Sequence, residues 1–112
     1  MNFDETAEFS KEFKRLSKKY SSLRDDLLGF EKIVTTLPLG SGKHFNVITR
    51  TEHITVIKAR LFCQYLRGSS LRIIYAFDAA ICKIEFIQIY SKNEQENEDR
   101  ERIKKYLKNY RS

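Results

Sequence analysis

The run LRGSSLRIIY at residues 66–75 constrains the fold of this chain more than any other segment. Gly68, Ser69 and Ser70 read as a turn, and the β-branched and aromatic residues that follow, up to Phe77, read as a strand. Arg72 is the second residue of that apolar run. An arginine there asks for a sheet face that the core does not close over, because a guanidinium cannot shed its charge. Its planar fork of donors matches a phosphate, although an arginine at a strand start is more often simply solvated.

Periodicity supplies the rest of the framework. Phe9, Phe13, Leu16 and Tyr20 form one apolar stripe and predict a helix over residues 8–20, with Lys11, Lys14, Lys18 and Lys19 on its other face. Leu23, Leu27, Phe30, Val34 and Leu37 predict a second helix over 23–37, capped by Ser22 and stopped by Pro38. The short connection between them makes an αα-hairpin. Strands are expected over 44–50 and 53–64 around a turn at Thr51 and Glu52, then over 71–78 and 83–91. Alternation puts Ile57, Ala59, Leu61 and Cys63 inward and Lys58 and Arg60 outward, and sets Ile73, Tyr75 and Phe77 opposite Arg72, Ile74 and Ala76. KIEFIQIYS at 83–91 is apolar on both faces, as in a central strand, so its parity stays open. A last helix is expected over 94–110, weakly docked at its start, with Glu98–Arg102 and Glu101–Lys105 as i,i+4 pairs.

At 112 residues, the chain has the size of one domain with a modest core. Its net charge of +6 is unevenly placed. Residues 1–37 balance, whereas 38–92 hold eight basic side chains against three acidic ones. Charge gathered on the strand-rich middle suggests a polyanion-facing surface, with scattered solvation as the alternative. No apolar run approaches membrane-spanning length, and the start MNFDETAEF is acidic, unlike a signal peptide, so the expected setting is the cytoplasm. Cys63 and Cys82 lack CxxC spacing and are expected as buried, reduced thiols. His44 and His53 lack the neighbours of a metal site, and GSGK at 40–43 lacks the spacing of a phosphate-binding loop.

The order of these elements, the L-R-x-x-x-Φ-R-Φ-Φ-Y spacing and the ending FIQIYSKNEQENEDRERIKKYL together resemble the RelE/ParE superfamily of toxin–antitoxin toxins, in its RelE-like branch. The resemblance implies an α+β fold over residues 1–112. An N-terminal αα-hairpin packs on a mainly antiparallel sheet of about four strands, and a C-terminal helix follows. It implies a ribosome-dependent mRNA endoribonuclease that inhibits translation without metal or cofactor. Its partners would be mRNA on the ribosome and a cognate antitoxin covering the basic sheet face, with no membrane involved. Arg72 falls on the arginine that contacts the scissile phosphate, and Lys92 falls where relatives carry another catalytic arginine. Relatives carry a lysine pair just before L-R, where this chain has Cys63 and Tyr65; Lys58 and Arg60, further upstream, are the substitutes. Together with Arg67 and Lys43 they are the expected RNA-binding residues. A tyrosine near the last helix is also usual; the matching position here is about Glu98. Tyr90 is the nearest tyrosine and the third catalytic candidate, with packing at a strand end as its alternative role. Two rival readings stand beside this one: a ParE-like inhibitor of DNA gyrase that cleaves nothing, and an inactive nucleic-acid-binding module.

Overall fold

The structure is a computed structural model that describes residues 1–67 and 70–110. The turn expected at Gly68 and Ser69 lies outside the described residues. A strand β1 (Asn2–Glu5) precedes the helices α1 (Ala7–Lys19) and α2 (Leu23–Thr36). Then come β2 (Phe45–Arg50), β3 (Ile54–Phe62), β4 (Ser70–Asp78), β5 (Lys83–Ser91) and α3 (Arg100–Asn109). The five strands form one sheet in the order β1-β5-β4-β3-β2, antiparallel except for the parallel pair β1 and β5. The α+β architecture is as expected. The sheet gains a strand because NFDE, too short and acidic to show a pattern, pairs with the edge of β5 and leaves β5 central.

The sheet is covered on both faces. α1 and α2 lay Phe9, Leu16, Leu23, Phe30 and Val34 against Ile57, Leu61, Ile73, Tyr75 and Phe86. Tyr75 is fully buried, and its hydroxyl donates to the Pro38 carbonyl at 2.8 Å. Gly40 (φ 69°) sits so close to the Phe45 ring that an added Cβ would lie 2.1 Å from it. On the opposite face α3 buries Ile103, with Tyr106, Leu107 and Tyr110 partly buried, over Ile54, Val56, Ile74, Ala76 and Ile87. The face expected to be open is therefore closed over part of its area.

Local details depart from the sequence reading for identifiable reasons. Ser22 does not cap α2; its hydroxyl donates to Asp26 at 2.7 Å and accepts from the Tyr65 amide at 2.9 Å, tying α2 to the short helical turn Gln64–Leu66. That turn ends β3 at Phe62 instead of residue 64. α3 starts at Arg100, not residue 94, because the Asp99 side chain accepts from the Arg102 amide and caps it. The expected i,i+4 pairs are replaced: Arg102 grips Glu12 of α1 and Glu98 pairs with Lys58, both across the fold, while Glu101 pairs with Lys104, three residues on along α3. Cys63 and Cys82 are both free, but only Cys63 is buried; Cys82 sits exposed in the β4–β5 turn with φ 49°.

The parity of β5 was unreadable because it changes within the strand. Ile74 pairs with Gln88 while Tyr75 pairs with Phe86, so Ile87 is the extra residue of a bulge. Ile84 and Phe86 face α1 and α2, and after the bulge Ile89 does so, while Ile87 and Tyr90 face the side of α3.

Candidate nucleic-acid interface

Strand alternation places Lys58 and Arg60 of β3 and Arg72 of β4 on the α3 side of the sheet, as the sequence predicts. The β5 bulge brings Tyr90 to the same side. Arg60, Arg72 and Tyr90 are direct cross-strand partners, a row perpendicular to the strands at the end of the sheet that α3 leaves free. His44 extends the row: its carbonyl accepts the Arg60 amide at 3.0 Å.

Two guanidinium groups opposite one another on a sheet repel. Among the described residues neither Arg60 nor Arg72 has a carboxylate within ion-pair distance. Among the described residues Arg72 donates only to the Ser70 hydroxyl, at 2.8 Å. Burial first, and the neighbouring Arg60 second, hold its pKa below the ordinary arginine value. Beside it the Tyr90 hydroxyl is buried without a hydrogen-bond partner among the described residues. Burial, with the Glu98 carboxylate adding to it, pushes the Tyr90 pKa up against the pull of Arg72, so the phenol is a proton donor at neutral pH. Two unpaired cations and an unmet hydroxyl side by side are what an oxyanion with several acceptor oxygens would satisfy.

Next to the row Glu98 is 7% exposed and accepts from Lys58 Nζ and Arg100 Nε, both at 2.8 Å. Burial, the largest influence, pushes its pKa up, but the hydrogen bonds from Lys58 and its own backbone, with the charges of Lys58 and Arg100, bring it below the usual carboxylate value. Glu98 is the site residue that the strand and helix patterns did not single out. The signal was Asp99, an N-cap residue by type, which moves Glu98 out of the helix and over the sheet.

The remaining candidates lie around this end. Lys92 follows β5 directly, one residue past the Leu71–Ser91 pair, and is exposed. Arg67 is exposed in a left-handed conformation (φ 49°) after the turn Gln64–Leu66, and Lys43 is exposed before β2. Cys63 and Tyr65 do not join the row: Cys63 is in the α1–α2 core, and Tyr65 belongs to the helical turn. His53 is exposed at the far β2–β3 turn, 3.8 Å from Glu52. Among the described residues no cluster of three or more His, Cys, Asp and Glu has metal-site geometry. Nor is any described helix long and apolar enough to cross a membrane.

The arrangement is an α+β sheet, covered by helices on both faces, with an arginine pair at one open sheet end that no described carboxylate neutralises. A chain in the crystal structure of the archaeal RelE–RelB complex from Pyrococcus horikoshii OT3 has the same fold. It superposes with a TM-score of 0.62 over 81% of this chain and 93% of that one, at 20% identity. The fold of this protein is thus RelE-like. No protein-family model and no curated protein matches the sequence.

Proposed function

We propose that this protein is the toxin of a type II toxin–antitoxin module, a cytoplasmic endoribonuclease that cuts mRNA on the ribosome and is held in check by a cognate antitoxin. The observation that carries the reading is the Arg60–Arg72 pair, opposed across β3 and β4 without a carboxylate among the described residues and flanked by the unpartnered Tyr90 hydroxyl. The RelE-like fold supports it. Cleavage by the neighbouring 2′-hydroxyl forms a P–O2′ bond and breaks the P–O5′ bond, and negative charge grows on the phosphoryl oxygens between the two events. Arg72 and Arg60 stabilise that charge from a rigid strand pair, and the Tyr90 phenol donates to a third oxygen. Lys92, Arg67 and Lys43 hold the flanking backbone. Lys58 is neutralised by Glu98 and positions that carboxylate beside Tyr90.

The test is induced expression of wild type and Arg72→Ala, with transcript ends mapped. Loss of one preorganised donor should lower the cleavage rate by about 100- to 1000-fold. Arg72→Lys should restore part of it, since charge returns without the fork. Stability should change by less than about 1 kcal/mol, because Arg72 gives up one hydrogen bond and one repulsion. Full toxicity in a folded Arg72→Ala protein overturns the nuclease reading. One observation favours the ParE-like alternative, a gyrase inhibitor: both Glu98 oxygens are engaged by cations, which leaves this carboxylate a poor base for the 2′-hydroxyl. An arrest of DNA replication before protein synthesis would support that alternative.

A further inference from the structure

We infer that Ser70 belongs to the phosphate site: its hydroxyl fixes the Arg72 guanidinium and donates its own proton to a non-bridging phosphoryl oxygen. The inference rests on the reading of Arg60 and Arg72 as an RNA-phosphate site. Ser70 opens β4 two residues before Arg72, so alternation sets both side chains on the α3 side of the sheet. It is half-buried and pairs with Phe62, the last residue of β3, at the sheet end that α3 leaves free.

Three features assign the role. The first is the bond itself: Arg72 Nη1 donates to Ser70 Oγ at 2.8 Å. A guanidinium set opposite another is repelled and swings toward water on its flexible stem unless something holds it. Among the described residues Ser70 is the only side chain that holds Arg72. The second is what this bond leaves over. It uses Nη1, so the edge formed by Nε and Nη2 keeps two parallel donors for phosphoryl oxygens. A serine hydroxyl has two lone pairs and one proton. One lone pair takes Arg72, and the proton has no acceptor among the described residues. Accepting from a cation polarises the hydroxyl and makes it a stronger donor. The third is charge. A carboxylate at this position would also anchor Arg72, but it would neutralise the cation and repel phosphate. A serine anchors the guanidinium and leaves its charge in place.

The experiment titrates the full chain with inorganic phosphate, followed by NMR at the Arg72 and Tyr90 amides, beside mRNA cleavage in a translation mixture and thermal melting. Ser70→Ala should weaken phosphate binding about three- to tenfold, the loss of one hydrogen bond. It should slow cleavage about 100-fold, as loss of a preorganised donor does, and leave the melting temperature unchanged. Ser70→Thr keeps the hydroxyl on a residue that suits a strand and should match wild type in all three. Ser70→Asp should abolish phosphate binding and raise the melting temperature, because the arginine pair gains the carboxylate that no described residue gives it. Wild-type phosphate affinity in Ser70→Ala, or its loss in a folded Ser70→Thr, overturns the inference. A lowered melting temperature in Ser70→Ala with phosphate affinity intact would mark the bond as structural only and overturns it as well. If phosphate affinity follows the expected order while wild type cuts no mRNA, the nuclease reading fails and Ser70 keeps its place. If Arg72→Ala binds phosphate as wild type does, the row holds no phosphate and the inference falls with it.

Discussion

Lys58 and Glu98 show how one ion pair divides the basic face into a neutral half and a charged half. Lys58 would otherwise stand two residues from Arg60 as a third free cation; instead it is held at 2.8 Å by a carboxylate whose side chain is 3% exposed. The pair has a readable pH signature. Glu98 is held below its ordinary value in the folded chain, so its contribution is present above the unfolded pKa and is lost as pH falls through the folded one. Glu98→Gln should therefore lower stability by about 1–3 kcal/mol at pH 7. The gap from wild type should close as the medium is acidified below the usual carboxylate range. Melting temperatures of both proteins across that range decide it, and a gap independent of pH would mean that Glu98 acts by shape alone. The cysteines give a second residue-scale expectation. Exposed Cys82 should take an alkylating reagent in the native protein, and buried Cys63 only after denaturation, as intact mass would show. The outward set Lys58, Arg60 and Arg72 was legible because period-two alternation depends on nothing but local geometry. Glu98 and the exposure of Cys82 were not, because each depends on where an element ends.

Among the elements, β5 decides whether Tyr90 stands beside Arg72 at all. A regular strand would send Tyr90 to the same side as Phe86, into the α1–α2 core; the extra residue Ile87 reverses it. A bulge frees backbone groups, and here the neighbouring elements take them up. Ile87 O accepts from Thr6 Oγ1 at 3.3 Å and Arg102 Nη1 at 3.1 Å, and Ile89 N donates to Glu12 at 3.3 Å. Glu12 also holds Arg102 through both oxygens, at 2.9 and 2.8 Å, so α1 and α3 clamp the bulge from either side. Glu12→Ala should cost about 1–3 kcal/mol through the unpaired guanidinium and amide. Amide exchange should quicken at Ile89 and along α3 while α2 keeps its protection; uniform loss of protection would show that the clamp is not local. The long stripes of α1 and α2 were legible from their repeats. The bulge was not: a strand apolar on both faces carries no alternation to interrupt, and the groups that satisfy the bulge sit on α1 and α3.

For the molecule as a whole, the distribution of charge sets what it meets in solution. The excess lies in residues 38–92, and the fold gathers Arg60, Arg67, Arg72, Lys43 and Lys92 around one end of the sheet while spending Lys58 on Glu98. Phosphate contacts release counterions, so binding to single-stranded RNA should weaken linearly in log–log form, with a slope of about −0.7 per phosphate neutralised. Contacts by four of these five cations would give a slope of about −3. Arg72→Ala should remove one contact and flatten the slope by somewhat less than one, while Lys58→Ala should leave it unchanged, because that ammonium is already neutralised within the fold. The contrast between the two variants is the discriminating measurement, since total charge falls equally in both. A long-range field would respond to either loss alike; local contact responds only to the unpaired arginine. Affinities of wild type, Arg72→Ala and Lys58→Ala for one oligoribonucleotide, titrated from low to physiological salt, separate the cases. Equal slopes for all three would show that the sheet end does not hold the RNA backbone.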